Sequence, residues 1–213
     1  MKSQSFTQDQ YKLLDDAYKF FNKQLFDNKL PECMIVLHRK KSSRGYFHAE
    51  RYVEKSELKD KKKKIKYIDE LALNPDDFNR PDIAILSTLA HEMAHVWRHH
   101  CCEKKSKGGY HDKVWANKME EIGLMPSDSG REGGKRTGQR VTHYIIKNGK
   151  FEKHCLSFLK NKSIKLSSFQ LPSNSKDGNK NKIKYSCSCG YNIWGKADLD
   201  ISCNECGDNF TEA

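Results

Sequence analysis

Tyr11, Leu14, Ala17, Tyr18, Phe21 and Leu25 recur at three- and four-residue intervals, so residues 11–26 predict an amphipathic helix whose apolar stripe meets a core. The rhythm then shortens. Residues 34–37, 44–53 and 65–73 are rich in β-branched and aromatic side chains and read as strands, the last two flanking a long charged connection at 54–64. From Ile83 to Trp97 apolar residues crowd several faces of a helical period, with Pro81-Asp82 at the start, which predicts a buried helix. Another helical pattern follows His111 with Val114, Trp115, Met119 and Ile122. Pro126, Gly130, Gly133 and Gly134 mark a flexible loop at 123–138, and residues 139–146 and Lys150-Phe151 flank Asn148-Gly149 as a hairpin would, expected to be a structural appendage. Helices mixed with a few strands predict an α+β core around a small mixed sheet.

Beyond that core the composition changes. Residues 160–182 are Lys, Ser, Asn and Gly with few large apolar side chains, which predicts a flexible linker between a domain at 1–159 and a module at 183–213. The module carries Cys187-Ser188-Cys189-Gly190 and Cys203-Asn204-Glu205-Cys206-Gly207. Four thiolates close a tetrahedral shell with no room for water, and a glycine after each pair permits a tight turn, so a structural zinc ribbon is expected on Cys187, Cys189, Cys203 and Cys206. The first pair is CxC where most zinc knuckles have CxxC. The other cysteines, Cys33, Cys101, Cys102 and Cys155, are expected to be ordinary thiols, with the Cys101-Cys102 pair open to oxidation.

Charge narrows the surroundings. Lys plus Arg outnumber Asp plus Glu by 39 to 28 in 213 residues, a formal net charge of +11. The N-terminal stretch has no apolar signal region and no segment approaches membrane-spanning length, so a soluble cytoplasmic protein that works near polyanions is expected, with no membrane partner. Two basic tracts stand out: Lys61, Lys62, Lys63 and Lys64 in the charged connection, and Lys182 and Lys184 near Tyr185, Tyr191 and Trp194. Lysines interleaved with aromatic rings suit single-stranded nucleic acid, whose bases stack on rings while ammonium groups meet phosphates; a solvated charge run and rings that fill a small ribbon core are the bland alternative.

The sharpest chemical signal is His91-Glu92-Met93-Ala94-His95. Residues four apart share a helix face, so His91 and His95 can hold one zinc while Glu92 leans towards its open position as general base. Zinc lowers the pKa of water from about 16 to about 7, and the glutamate takes that proton and later returns it, which is hydrolase chemistry. A third ligand is needed. His99 lies about 12 Å along the axis from His91, too far for one ion. A metzincin would need Gly at 98 and His at 101, where the chain has Arg98 and Cys101. Glu120 and Glu121 have no evident reason to point inward, and His111, after a polar glycine-containing loop and at the start of a helical pattern, fits better.

These pieces in this order resemble the SprT-like zinc metallopeptidases, to which the Spartan DNA–protein crosslink proteases belong. The resemblance is carried by the helix at 11–26, the segment ending Glu70-Leu71-Ala72-Leu73-Asn74-Pro75, the HExxH helix, Gly109-Tyr110-His111-Asp112-Lys113-Val114-Trp115 and the cysteine module, whose CxC spacing occurs in that family. It implies a minimal zincin-like fold, a catalytic zinc on His91, His95 and His111 with Glu92 as the catalytic residue, and two zinc ions in all. By the same likeness, residues 65–73 would be the edge strand that presents an extended peptide to the zinc. A zinc endopeptidase acting on DNA-associated or DNA-crosslinked proteins is therefore expected, with single-stranded DNA as a partner. Tyr110, His143 and Tyr144 are candidate oxyanion donors. A DNA-binding adaptor that keeps the zincin core as scaffold is the alternative, which the intact Glu92 disfavours; a zinc hydrolase of non-peptide amides is a third reading.

Overall fold

The computed structural model describes residues 5–53, 66–104, 109–161 and 182–213. Two compact units divide the chain, Met1–Phe169 and Gln170–Ala213. In the first, helix α1 (Phe6–Leu25) buries Leu13, Leu14, Ala17, Tyr18, Phe21 and Leu25 along one stripe, the face its periodicity demands. Past its end Asp27 and Asn28 adopt left-handed backbone. The Asn22 side chain holds that turn by donating to the Leu30 carbonyl (3.0 Å) and accepting from the Leu30 N–H (3.1 Å), which aims the chain into the sheet.

Strands β1 (Cys33–Leu37), β2 (Gly45–Val53) and β3 (Tyr67–Leu73) form that sheet in the order β1-β3-β2, with β1 parallel and β2 antiparallel to β3. Here the expectation for residues 65–73 is corrected. β3 is the central strand, hydrogen-bonded on both sides and buried from Asp69 to Leu73, so its backbone has no free edge to offer a peptide. The edge strand that packs against the motif helix is β2. It carries a bulge between His48 and Tyr52, with Glu50 at φ 56°. Buried Asp69 fixes the bulge by accepting the Glu50 N–H (2.8 Å) and is itself paired with His100 Nε2 (2.5 Å). The charged connection, with Lys61 to Lys64, lies outside the described residues.

Helix α2 (Asp82–His100) is buried on almost every face from Ile85 to Ala94, as its unbroken apolar run requires. It joins α1, Trp115 and Met119 of helix α3 (Lys113–Glu121), and Phe151, Cys155 and Phe158 of helix α4 (Lys150–Lys160) in one apolar core. Strands β4 (Leu124–Ser127) and β5 (Thr142–Ile145) pair antiparallel. The expected hairpin around Asn148-Gly149 is thus corrected. β5 pairs backwards with β4, and the dipeptide opens a helix, with Gly149 as N-cap and the Glu152 carboxylate accepting the Asn148 N–H (2.6 Å). Phe151, Cys155 and Phe158 recur at helical spacing, and burying that stripe against Phe21 at 5.5 and 6.0 Å between ring centroids outweighs the local turn preference. The glycine-rich stretch between β4 and β5 carries its own bonds: Asp128 and Lys135 exchange two, both 2.9 Å, and Ser127 Oγ donates to the Arg131 carbonyl (2.6 Å).

In the second unit β6 (Ile183–Ser186) lies between β7 (Asn192–Gly195) and β8 (Thr211–Glu212), antiparallel to both. Gly190 (φ 89°) and Gly207 (φ 75°) make the turns after the cysteine pairs. Tyr185 fills the small interior, 2% exposed, its hydroxyl donating to the Lys196 carbonyl (2.7 Å). Most of the expected linker, 162–181, lies outside the described residues. Among the described residues no helix is long and apolar enough to cross a membrane.

Candidate metal centres

Helical periodicity places His91 and His95 one turn apart on α2, their rings 5.2 Å apart between centroids. His111 arrives from the segment before α3, where the chain is fixed on both sides. Its N–H donates to the Gly138 carbonyl (2.9 Å) and its carbonyl accepts the Gly138 N–H (3.0 Å). One residue on, Asp112 caps α3 by accepting the Trp115 N–H (2.8 Å) and receives Arg98 of α2 through Nε (2.9 Å) and a terminal nitrogen (2.6 Å). Arg98, three residues past His95, thus clamps the His111 segment to the helix that carries the other two histidines. Trp115 floors the cluster, stacked on His95 at 5.1 Å and 19° and edge-on to His91 and His111. Its Nε1 is buried with no partner among the described residues.

One nitrogen from each of the three imidazoles lies within 4.8 Å of the others, and the Nε2 atoms of His91 and His111 stand 3.4 Å apart. Bonds of about 2.1 Å in a tetrahedral shell require neighbouring nitrogens about 3.4 Å apart, so the arrangement fits zinc with little movement. Tautomers agree. His111 Nδ1 is 3.0 Å from the Gly138 carbonyl oxygen, which can only accept, so that nitrogen carries the proton and Nε2 is left with its lone pair. Burial pushes His91 well below the ordinary imidazole range, helped by neighbouring His143, His95 and His111, and takes His95 down to about 3. Desolvation lowers His111 against the opposing pull of its bond to Gly138. Three neutral imidazoles are the form a metal binds.

Glu92 is buried beside them. Desolvation raises its pKa to about 8, with Lys40 as the opposing influence. It faces Gly45, the first residue of edge strand β2. A Cβ built on Gly45 would lie 3.1 Å from both Cγ and Oε1 of Glu92 and 2.8 Å from the Ala72 carbonyl oxygen, so the absence of a side chain lets strand and carboxylate approach this closely. A carboxylate next to a three-nitrogen site and a strand edge that is unpaired among the described residues is equipped to move a proton to and from water at a bound backbone.

The other candidates fall elsewhere. His99 packs its ring on Phe47 of β2 at 5.7 Å. Glu120 pairs with Arg136, and Glu121 with Lys118 at 2.9 Å. Tyr110 is exposed. His143 is no free oxyanion donor, because both ring nitrogens are engaged, Nδ1 with His91 Nδ1 (3.1 Å) and Nε2 with Ser87 Oγ (2.9 Å). Sequence reasoning missed Arg98, Asp112, Ser87 and Gly138 as supports of the site; the only trace they leave in the chain is Asp112 standing at a helix start, the capping preference.

In the second unit the sulfurs of Cys187, Cys189, Cys203 and Cys206 lie within 4.8 Å of one another, with 3.1 Å from Cys187 to Cys189 and 3.5 Å from Cys189 to Cys203. A zinc shell with bonds of about 2.3 Å needs about 3.8 Å between sulfurs, so this set fits after a slight opening. Hydrogen bonds from the Ser188 hydroxyl and the Asp208 N–H pull Cys206 down to about 6, towards the thiolate that binds metal. Tyr191 and Trp194 are 59% and 61% exposed and do not fill the ribbon core, the role Tyr185 takes. Trp194 stands directly across the strand pair from exposed Lys184. Lys182 is also exposed.

The chain is similar to known proteins over part of its length. A stretch of 47 residues is 47% identical to a protein of Salmonella typhimurium described as an uncharacterized protein in the mucB 3' region, covering 22% of this chain and 64% of that protein, so the chain spans less than two thirds of that relative's length. No solved structure matches. The model of the SprT-like family matches residues 14–144, from α1 through the three histidines to β5. With more than half of the chain matched and the two motif histidines, Glu92 and His111 all inside that span, the chain belongs to the SprT-like family, a zinc metallopeptidase-like family.

Proposed function

We propose that this protein is a zinc-dependent endopeptidase that cuts proteins held on or crosslinked to DNA. The observation that carries the proteolytic part is the meeting of three convergent imidazole nitrogens with buried Glu92 at the start of an open strand edge. His91, His95 and His111 hold zinc, which polarises a carbonyl and acidifies water when bound. Strand β2 aligns the substrate backbone as an added strand, and Gly45 leaves space for it beside Glu92. Glu92 accepts the proton of the attacking water and delivers it to the leaving amine, the task of a carboxylate placed beside the open position of such a site. Cys187, Cys189, Cys203 and Cys206 hold a second, structural zinc.

The DNA part rests on the +11 net charge, on Trp194, which exposes its ring directly across the strand pair from exposed Lys184, and on exposed Tyr191 and Lys182 in the same ribbon. Holding the enzyme on the polyanion that carries its substrate would supply the selectivity that a shallow cleft cannot. Lys61 to Lys64 belong to the same reading. Free thiols at Cys33, Cys101, Cys102 and Cys155 suit a reducing cytoplasm.

The test is Glu92→Gln in the full chain, assayed on casein and on a DNA-binding protein with and without single-stranded DNA. Cleavage should fall by about a hundredfold or more while zinc content and DNA affinity stay at wild-type level. DNA should stimulate the wild type, less so as salt rises, with self-cleavage between residues 160 and 182. Undiminished cleavage by the variant removes the mechanism; cleavage indifferent to DNA and salt removes the tethering and leaves the protease.

A further inference from the structure

His143 is a half-buried side chain at the centre that the chemistry above does not use. It belongs to β5, opposite Pro126 of β4, and is separated by 52 residues from His91, yet the two Nδ1 atoms stand 3.1 Å apart. Two imidazole nitrogens at that distance make a hydrogen bond only if one carries a proton and the other does not. The metal geometry decides which. His91 presents Nε2 to the cluster, 3.4 Å from His111 Nε2; a nitrogen that binds metal carries no proton, so the neutral His91 ring carries its proton on Nδ1 and donates it to His143 Nδ1. The neutral His143 ring then carries its own proton on Nε2, where Ser87 Oγ lies 2.9 Å away to accept it. Ser87 in turn donates to the Ala84 carbonyl at 2.8 Å. Every donor has an acceptor from the metal site back to the helix backbone, and no other assignment of these protons satisfies all the bonds with Nε2 of His91 free.

From this geometry we infer that His143 is the positioning residue of the centre, fixing His91 in the tautomer and ring orientation that presents Nε2 to the metal, with Ser87 as its anchor. Ser87 lies one turn before His91 on the same face of α2, so the helix that carries the ligand also fixes the group that orients it. Carbonyl or carboxylate acceptors do this for most metal-bound histidines, as Gly138 does for His111 here. At His91 a second imidazole takes that place. Such a group can accept only when its proton sits on the far nitrogen, which gives Ser87 a defined task.

The inference rests on the metal-site reading above, and its test reads the protons and the metal rather than activity. In zinc-loaded, nitrogen-15-labelled full-length protein, long-range proton–nitrogen correlation should show His91 protonated on Nδ1 and His143 protonated on Nε2; a proton on His143 Nδ1 overturns the inference without any variant. Zinc affinity at the histidine site should fall about 10- to 100-fold in His143→Leu, read by chelator competition with cobalt spectra separating this site from the thiolate site, whose sulfur-to-metal absorption three imidazoles cannot give. His143→Asn, whose Oδ1 takes the position of Nδ1, should recover most of that loss. A space-filling role predicts the reverse order, since leucine packs and a buried amide does not. Ser87→Ala should weaken binding by about threefold, the scale of one modest hydrogen bond. Wild-type affinity in His143→Leu, or Asn no better than Leu, sinks this inference alone, whereas a wild-type chain that takes no metal on its imidazoles sinks the function proposed above as well.

Discussion

The two candidate metal centres reach similar compactness by opposite routes. The four cysteines come from two turns of a small ribbon, each pair supplied by its own local backbone, and Cys189 and Cys206 remain exposed. The three histidines come from α2 and a loop held to it from several directions, and they sit on Trp115 and among side chains gathered from residues 87 to 143. One cluster organises its surroundings; the other is organised by them. That contrast matches the chemistry. A closed thiolate shell can be the fold's own fastener, while a three-nitrogen site that must leave a position open needs its geometry imposed from outside the ligands.

The largest effect that tests this contrast is metal removal. Among the described residues the second unit has Tyr185, Cys187 and Cys203 as its buried apolar side chains, whereas the first unit has a continuous core running from Leu13 to Phe158. Structural zinc supplies about 10–16 kcal/mol in modules of this kind. A strong chelator should therefore bring the amides of residues 183–213 to near-unfolded exchange rates while those of α1 and α2 keep their protection. Unchanged protection in 183–213 after chelation would show that the ribbon does not depend on its metal. Collapse of α1 and α2 would show that the first unit does.

A smaller effect probes the imposed geometry. Asp112 touches no metal, but it caps α3 and receives Arg98 from α2. Arg98 is almost fully buried and Asp112 about a quarter exposed, so Asp112→Ala removes a cap and leaves a buried cation unpaired, a loss of about 3 kcal/mol in stability. His111 is the adjacent residue. The variant should hold zinc at the histidine site distinctly less well while keeping the thiolate zinc, by metal analysis alongside thermal unfolding. Equal zinc retention at both sites would mean that His111 is held well enough by Gly138 alone.

This dependence also explains what could be read from the chain. The HExxH pair, the two cysteine pairs and the helical stripe of α1 are short-range patterns, and each was legible because its residues meet through one helix turn or one tight loop. His111 was legible through its place before Val114, Trp115 and Met119. The supporting contacts of Ser87, Arg98 and His143, the last offered by the sequence only as an oxyanion donor, were not, because they form only after β5 and α3 have packed on α2. The sheet order escaped for a related reason: continuous burial marks β3 as central only once the partners of Asp69 and Glu70 are known, and those partners lie on β2 and α2. At Asn148-Gly149 two local signals competed, and the apolar spacing of Phe151, Cys155 and Phe158 prevailed over the turn.

The smallest effects lie on the ribbon's surface, where the contrast between the units bears on the proposed DNA grip. Trp194 and Lys184 occupy directly opposed positions on β7 and β6, and both are exposed. Neither is needed for the ribbon core, so substitutions there should leave structure and metal untouched. If bases stack on Trp194, Trp194→Ala should weaken single-stranded DNA binding by about 1–3 kcal/mol, a factor of about 5 to 150. Lys184→Ala should do less at any one salt concentration and leave a different mark: the slope of log affinity against log salt should become shallower by about 0.7, the loss of one phosphate contact on a single strand. Titrations across a salt series separate the two, because a stacking loss shifts the line in parallel and a phosphate loss tilts it. Parallel, coincident lines for wild type and both variants would remove the ribbon face from the DNA reading and move the grip to the basic run at Lys61 to Lys64, while casein cleavage without DNA, which depends on the histidine centre, should be the same in all three proteins.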